Sequence, residues 1–268
     1  MTPLELLGTG EITVEGRVVA ASNLTLYARV DAPDGQTIPC VYKPVSGERP
    51  LWDFPDGTLA ARERAAFLVS EAGGWHLVPP TVLREGPLGA GMCQQWVTSD
   101  DDSAAAPPGR HGWVDLLDGA AAPPAGWLPV VHGQDETGRT VTLVHRDDAA
   151  LREMVLLDAV LNNADRKGGH LLTGAGGSLH GVDHGLCCHE EPKLRTVLWG
   201  WRGQALNGAE QDRLERVGTW LEHPDAELEG LLTSAEVDAM RARVRALQLS
   251  GRLPGPGGSW PAIPWPAF

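Results

Sequence analysis

The first third of the chain alternates apolar and polar residues with the period of two that is typical of β-strands. Three such runs occupy residues 12–19, 24–30 and 37–44, and short turn-forming segments separate them. Residues 75–85 and 89–97 form two further runs on either side of a Gly-rich turn. The pattern predicts an antiparallel sheet in this part of the chain.

Helical spacing replaces this alternation at residues 58–72. Thr58 is expected to cap the first turn of the helix, and the two glycines at 73–74 end it. Glu63 lies three and four residues before Ala66 and Phe67, on the same face of the helix. We therefore expect Glu63 to face inward.

The second half of the chain is predicted to be mainly helical. Residues 98–126 are rich in Ala, Pro, Gly and Asp and are predicted to be loops at a boundary between a first lobe, 1–98, and a second, 99–268. The remaining predictions are helices at 147–163, 205–221 and 234–249, strands at 141–145, 170–172 and 178–184, and a non-helical tail at 251–268. At the end of the first of these helices, Asp158 is expected to be a buried structural acid, and Asn163 to cap the helix and support the loop that follows.

Composition and charge narrow the range of partners. The 268 residues carry a formal net charge of −13, which argues against nucleic acid and against docking on an anionic membrane. No apolar run approaches the roughly 20 residues of a transmembrane helix, and the first residues lack the features of a signal peptide. The spacing of the four cysteines fits neither a disulfide framework nor a paired zinc motif. A cytoplasmic location is the simplest expectation.

Four charged residues supply the groups that phosphate transfer from ATP requires, in the order in which kinases have them. Such a reaction needs a Lys on the phosphates, a helix acid that pairs with it, a carboxylate that orients the attacking hydroxyl, and a carboxylate for Mg²⁺. Lys43 ends the third predicted strand, and Glu63 lies on the helix that follows. Asp165 follows a predicted helix, and Asp183 ends a predicted strand. The order predicts a kinase.

The local motifs resemble those of the phosphatidylinositol 3/4-kinase family, above all its type II and plant gamma-type 4-kinases. The resemblance covers roughly residues 12–190. It rests on CVYKPVSGERP (40–50), RERAAFLVSE (62–71), VPPTVL (78–83) and DAVLNNADRKGGHLL with GVDHGL (158–172, 181–186). Ordinary protein kinases differ, because they have the order His-Arg-Asp in the loop and Asp-Phe-Gly at the metal motif.

The resemblance implies a two-lobed, α+β, protein-kinase-like fold, with an antiparallel-sheet lobe before a mainly helical one. It also suggests an actinobacterial branch of the family whose substrate is unassigned. The implied site contains Lys43 on the α/β-phosphates, Glu63 holding Lys43, Asp165 as catalytic carboxylate, Arg166 bracing its loop, Lys167 at the γ-phosphate and Asp183 on the metal. The implied nucleotide contacts are Ser22 and Asn23 over the phosphates, and Gln94, Gln95, Trp96 and Val97 at the adenine.

The chain departs from the family at His170, where the family has an Asn that serves as a second metal ligand. Imidazole suits Mn²⁺ or Zn²⁺ better than Mg²⁺, which prefers oxygen. His170 therefore ligates a softer metal, or is a spectator beside a single metal, or marks a site that binds nucleotide without turnover. These three interpretations stay open at the level of the sequence.

The expected function is ATP-dependent transfer of the γ-phosphate to a hydroxyl acceptor, with Mg²⁺ or Mn²⁺ as cofactor. The acceptor is a lipid, a protein or a small molecule, and the sequence does not choose among them. One alternative is a nucleotide-binding pseudokinase or scaffold without turnover. A third is an AMP transferase, since kinase-like folds can bind ATP in the reverse direction.

Overall fold

The structure is a computed structural model that describes residues 1–18, 23–54, 58–98, 110–119, 122–135, 137–257 and 260–268. It is an α+β protein in which antiparallel sheets pack with α-helices. The predicted phosphate-covering residue Ser22 lies outside the described residues, as does most of the predicted loop segment that starts at residue 98. The predicted division into two lobes at residue 98 therefore stays a prediction.

The predicted N-terminal strands form a five-stranded antiparallel sheet with the order β1-β2-β3-β5-β4. Its strands are β1 (Glu11–Arg17), β2 (Leu26–Asp31), β3 (Thr37–Pro44), β4 (Thr81–Gly86) and β5 (Gly89–Gln95). Strand β3 alternates most regularly: Ile38, Cys40 and Tyr42 are buried against the sheet's own hydrophobic cluster. Because successive side chains of a strand point to opposite faces, the residues between them face the other side.

Two helices accompany this sheet. Helix α1 (Pro3–Thr9) was not predicted, although Thr2 and Glu5 form a capping box at its first turn, with Pro3 as its first residue. Helix α2 (Leu59–Gly73) begins as predicted, because the Thr58 side chain accepts a hydrogen bond from the Ala61 N–H. It ends at Gly74, whose φ of 71° is in the left-handed region.

A four-stranded antiparallel sheet with the order β6-β7-β9-β8 corrects the prediction of loops alone at 98–126. Its strands are β6 (Arg110–His111), β7 (Val114–Asp118), β8 (Trp127–Gln134) and β9 (Thr140–Arg146). Only β9 was predicted. Strands β6 and β7 were not predicted because they are short and the segment around them is rich in Ala, Pro, Gly and Asp. In β8, Pro129 and Gly133 interrupt the pattern, and most of the strand is exposed, so it shows no clear alternation.

The rest of the chain is mainly helical. It contains α3 (Ala149–Leu161), the hairpin of β10 (Leu171–Thr173) and β11 (Leu179–Gly181), then α4 (Gly208–Glu222), α5 (Ala226–Leu231) and α6 (Ser234–Ser250). Of these elements only α5 was not predicted. In the described part of the chain, no helix has the length and hydropathy needed to cross a membrane.

One large hydrophobic cluster joins the central helices to α2 and the second sheet, and a smaller one lies under the first sheet. The described residues of the tail are non-helical, as predicted, but Leu253 and Ala267 are buried in the large cluster rather than lying on the surface. The carbonyl of Ala262 accepts a hydrogen bond from Trp199 Nε1 at 2.8 Å, and that of Ala267 accepts one from the Gly168 N–H at 2.9 Å. The tail therefore contacts the loop that follows α3.

A buried histidine links the second sheet to the turn around Gly200. His145 Nε2 accepts a hydrogen bond from the Gly200 N–H at 3.0 Å, so Nδ1 carries the hydrogen and donates it to the Arg146 carbonyl at 2.8 Å. Burial lowers the pKa of His145 to about 4. The folded protein therefore holds this imidazole neutral through the mildly acidic range.

This histidine makes stability depend on pH. Below pH about 6.5 the unfolded chain takes up a proton that folded His145 refuses until pH about 4, so the free energy of unfolding falls between these values, by about 3 kcal/mol in total. Above pH about 6.5 the histidine contributes no pH dependence. In urea denaturation at a series of pH values, the difference between wild type and His145→Gln should shrink as the pH falls through this window. A difference that is constant from pH 7 to 4 would contradict the assignment.

Candidate functional site

The alternation of β3 places Lys43 in a cleft between the five-stranded sheet and the helical part of the chain. Tyr42 is fully buried on the core side of the strand, so Val41 and Lys43 face the opposite side. Both of these residues line a cavity there. The strand pattern thus determines the direction in which the lysine points.

Lys43 joins two carboxylates that are far apart in sequence. Its Nζ lies 2.7 Å from Glu63 Oε1 and 2.8 Å from Asp183 Oδ1. The Glu63 side chain is 2% exposed, whereas that of Asp183 is 51% exposed and faces the cleft. As predicted from the sequence, Glu63 lies on the inward face of α2. We call Lys43, Glu63 and Asp183 the ion triad.

The charges of the triad stabilise one another. Burial opposes the charge of Lys43, but Asp183 and Glu63 more than offset it and raise the pKa of the lysine above its usual range. Lys43 lowers the pKa of Asp183 well below its usual range. Near neutral pH the triad therefore holds one ammonium and an ionised Asp183.

The backbone at Asp183 is also constrained. Its φ of 60° lies in the left-handed region, which costs free energy for a residue other than glycine. The next N–H, that of His184, donates to Glu63 Oε2 at 2.9 Å. Glu63 thus uses one carboxylate oxygen for Lys43 and the other for the backbone beside Asp183. A single buried acid positions both of its partners in the cleft.

Asp165 lies on the loop after α3, and amide side chains shape that loop. Asn162, in the left-handed conformation with φ of 53°, caps the helix. Asn163 Oδ1 accepts a hydrogen bond from the Asp165 N–H at 3.0 Å, and its Nδ2 donates to Asp158 Oδ1 at 2.9 Å. The prediction that Asn163 caps the helix is wrong, because its neighbour does so. Asn163 supports the loop, as predicted.

Arg166 is a buried cation at the centre of the loop. It is fully buried, and Asp158, which is 1% exposed, pairs with it through both oxygens at 2.8 and 2.9 Å. Its remaining donors reach the carbonyls of His170 and Val182, at 3.2 and 3.1 Å, and His184 Nε2 at 2.7 Å. Arg166 therefore ties the Asp165 loop to the segment between β11 and Asp183.

Two cations flank the Asp165 carboxylate. Lys167 Nζ lies 3.1 Å from Oδ2, and Arg195 Nη2 lies 3.7 Å from Oδ1. Arg195 Nε also donates to the Ala164 carbonyl at 2.6 Å, which fixes the guanidinium beside the loop. The sequence singled out Lys167 but not Arg195, since no local pattern connects Arg195 with a loop that precedes it by about thirty positions.

His170 lies beside Asp183, with its Nε2 3.3 Å from Asp183 Oδ2. Burial lowers the pKa of His170, so the imidazole is neutral near pH 7. Its Nδ1 is buried and has no hydrogen-bond partner in the part of the chain that the structure describes. Among those same residues, no group of three or more His, Cys, Asp or Glu side chains is arranged to hold a metal ion. A metal at Asp183 would need further ligands from a bound molecule or water.

Two adjoining cavities meet at the triad, and Asn23, Lys43 and Asp183 line both. The first, the strand cavity, has a volume of about 360 Å³. It contains the predicted nucleotide-contact residues together with apolar side chains from both sides of the cleft, namely Gln94, Gln95, Trp96 and Val97 with Val18, Val41, Leu172 and Val182.

The second, the helix cavity, has a volume of about 290 Å³ and includes Asp165, Arg49 and the first residues of α2. Glu48, which also lines this cavity, accepts hydrogen bonds from the N–H groups of Leu59 and Ala60 at 3.0 and 2.8 Å. It thereby holds the start of the helix that carries Glu63. The sequence marked only the segment around Glu48, not its contact with the helix.

Together the fold and the site define an α+β protein with a cleft in which an ion triad separates two cavities. The chain is 49% identical over 265 residues to Protein Rv2133c of Mycobacterium tuberculosis (strain ATCC 25618 / H37Rv). The aligned residues cover 98% of this chain and 94% of that protein. The chain belongs to the same family as Protein Rv2133c. No family model matches the sequence, and no solved structure matches it.

The buried Arg166–Asp158 pair provides a stability test. Asp158→Ala leaves an uncompensated charge in the interior and should cost about 3–5 kcal/mol of unfolding free energy. A matched control is Asp31→Ala, which removes an exposed carboxylate 2.9 Å from Arg29 and should cost far less, because solvent screens an exposed ion pair. Urea denaturation measures both values. Equal losses in the two variants would contradict the central role of Arg166.

Proposed function

We propose that this protein is an ATP- and divalent-metal-dependent kinase that transfers the γ-phosphate of ATP to a hydroxyl acceptor. In this proposal its fold is of the two-lobed, phosphatidylinositol 3/4-kinase-like type. The observation that carries the proposal is the ion triad: Lys43 contacts Glu63 at 2.7 Å and Asp183 at 2.8 Å. A lysine that a helix glutamate holds beside a metal-binding aspartate is the arrangement that kinases require for turnover.

The strand cavity has the character of a site for a planar, largely apolar base. Val18 and Val41 line it from the first sheet, and Leu172 and Val182 line it from the other side of the cleft. Its volume of about 360 Å³ lies within the usual range of small-molecule sites, roughly 300–1,000 Å³. The triad lies at the same cavity, so a base bound there brings its phosphates toward Lys43.

The segment after β5 offers polar groups to the edge of such a base. The Trp96 N–H is occupied by the Pro39 carbonyl at 2.9 Å. Val97 lines the strand cavity, its N–H donates to no acceptor in the described part of the chain, and we assign that N–H to a ring nitrogen of the base. This supports the assignment of residues 94–97 to the nucleotide.

Asp165 is the group that we assign to the acceptor. It lines the helix cavity, which adjoins the strand cavity at Lys43 and Asp183. In the transfer, the acceptor hydroxyl gives its proton to Asp165, and its oxygen forms a bond to the γ-phosphorus. The bond between that phosphorus and the β–γ bridging oxygen breaks, and ADP leaves with the electron pair. Lys167 and Arg195 hold the carboxylate in place beside the reacting atoms.

Asp183 and His170 are the side chains that would hold a divalent metal. The Asp183 carboxylate is half exposed to the cleft, and a site that keeps several waters and takes phosphate oxygens needs only one or two protein carboxylates. The neutral imidazole of His170 suits Mn²⁺ better than Mg²⁺. A metal held there would supply positive charge that offsets the charge of the phosphates during transfer.

A second candidate function is nucleotide binding without turnover. The observation that favours it is the presence of His170 beside Asp183, at the position where the phosphatidylinositol 3/4-kinase family has an Asn. In addition, the described residues provide no third metal-ligand side chain nearby. In that case the cleft senses ATP and the protein acts as a scaffold. Transfer of AMP is a third outcome, which a label on the α-phosphate would reveal.

Incubation of the purified protein with γ-labelled ATP, in Mg²⁺ and separately in Mn²⁺, tests the proposal when ADP release and labelled products are followed. Asp165→Asn should lower turnover by about 10²–10⁴-fold, because it removes the proton acceptor. Calorimetry should show that the same variant binds ATP within about twofold of wild type, since Asp165 contacts the acceptor rather than the base. Asp183→Asn should instead weaken the metal-dependent binding of ATP.

Asp238→Asn is the matched control, since this exposed carboxylate on α6 lies outside the cleft. It should behave as wild type in both assays. Wild-type turnover in Asp165→Asn would remove the catalytic assignment. ATP binding without ADP release in either metal would favour the scaffold, and the absence of ATP binding would contradict both.

A further inference from the structure

Three side chains form a row across the first sheet, and two of them line the strand cavity. Gln94 on β5 lies directly opposite Val41 on β3 and, on its other side, directly opposite Thr81 on β4. Residues directly opposite each other in an antiparallel pair place their side chains on the same face. Val41 faces the strand cavity, so Gln94 does too, and Gln94 is among its lining residues.

A chain of hydrogen bonds fixes which end of the Gln94 amide faces Thr81. The Thr81 hydroxyl donates its hydrogen to the Pro79 carbonyl at 2.7 Å, and a carbonyl can only accept. Thr81 Oγ1 can therefore serve Gln94 only as an acceptor. Gln94 Nε2 donates to it at 2.8 Å. The direction of these two hydrogen bonds therefore determines the orientation of the Gln94 amide.

The other end of the amide is left for a ligand. Gln94 is 4% exposed, and its Oε1 accepts from no donor in the part of the chain that the structure describes. Gln94 lines the strand cavity, and because its Nε2 is turned to Thr81, Oε1 is the end of the amide that is left for a ligand there. Gln94 thus presents one fixed acceptor to whatever occupies that cavity.

We propose that Gln94 determines the base specificity of the site, by accepting a hydrogen bond from the 6-amino group of adenine and rejecting purines with a 6-oxo group. The inference rests on the proposed function, since it needs a nucleotide in the strand cavity. It adds a side chain that reads the base to the backbone N–H of Val97. Guanine and hypoxanthine both carry the 6-oxo group.

The rejection has a physical cause. A 6-oxo purine brings an acceptor against Gln94 Oε1, which leaves two acceptors without a donor in a buried site. Rotation of the amide would relieve this, but it would turn Oε1 toward Thr81 Oγ1, whose only hydrogen is already given to Pro79. Thr81 is fully buried, and no alternative donor is at hand in that hydrogen-bond chain. Thr81 therefore acts as a positioning residue for Gln94.

The test compares the dissociation constants of three triphosphates for the full-length protein by calorimetry. ATP carries the 6-amino group, purine riboside triphosphate carries hydrogen at that position, and ITP carries the 6-oxo group. Wild type should bind ATP about 2–10-fold more tightly than purine riboside triphosphate and about 10–100-fold more tightly than ITP. Purine riboside keeps the ring nitrogen of adenine, so it isolates the contact at the 6-position.

Two variants separate the roles of Gln94 and Thr81. Gln94→Met should bind ATP and purine riboside triphosphate equally, because it keeps the size of the side chain but loses the acceptor. Thr81→Val frees the amide to rotate, so the preference for ATP over ITP should fall at least about fivefold while ATP affinity changes little. Thr142→Val is the matched control, since this buried hydroxyl donates to the Gly119 carbonyl in the other sheet, and its preference should equal that of wild type.

The outcomes distinguish the inference from the proposed function. If wild type binds no ATP, the proposed function fails and the inference fails with it. If wild type binds ATP and ITP equally, the nucleotide site stands and the inference is overturned. If the preference survives unchanged in Gln94→Met and Thr81→Val, backbone groups alone read the base, and the inference is again overturned. Thermal unfolding of each variant establishes that it is folded.

Discussion

The structure of the cleft depends on a single ammonium group between two carboxylates. Lys43 reaches Glu63 on α2 and Asp183, which lies two residues beyond the predicted strand's observed end at Gly181. Glu63 is buried, and its second oxygen holds the backbone beside Asp183. Any movement of the helix or of that strand end separates charges that stabilise each other inside the protein, where they interact more strongly than in water. The triad therefore couples the first sheet, α2 and the second half of the chain at one point.

A second buried charge fixes the other wall of the cleft. Arg166 is neutralised by Asp158, and it uses its remaining donors on the segment around His170 and on the strand end before Asp183. Because leaving any of these groups unpaired in the interior is costly, the loop with Asp165 has little freedom relative to Asp183. A rigid loop of this kind suits the phosphate transfer that we propose, because such a reaction depends mainly on positioning and on charge neutralisation.

Local patterns predicted the elements that place the triad. The alternation of β3 predicted a strand with Lys43 at its end, and the spacing from Glu63 to Ala66 and Phe67 predicted the inward face of α2. Features that depend on distant contacts were not predictable in this way. Most residues of strand β8 are exposed, so its sequence shows no alternation of apolar and polar residues. The pairing of Arg195 with Asp165 arises only when the chain folds, because the two residues are far apart in sequence. Helix α3 is capped by Asn162 because the backbone of that residue is in the left-handed conformation. The sequence does not show which of two adjacent asparagines adopts it.

The central claim is that the triad is the phosphate site of a nucleotide whose base lies in the strand cavity. A crystal structure of the protein with Mg²⁺ and a non-hydrolysable ATP analogue tests it most directly. The account predicts the base between Val41 and Leu172, and the phosphates between Lys43 and Asp183. An analogue bound outside this cleft, with Lys43 and Asp183 still paired and no phosphate beside them, would contradict it.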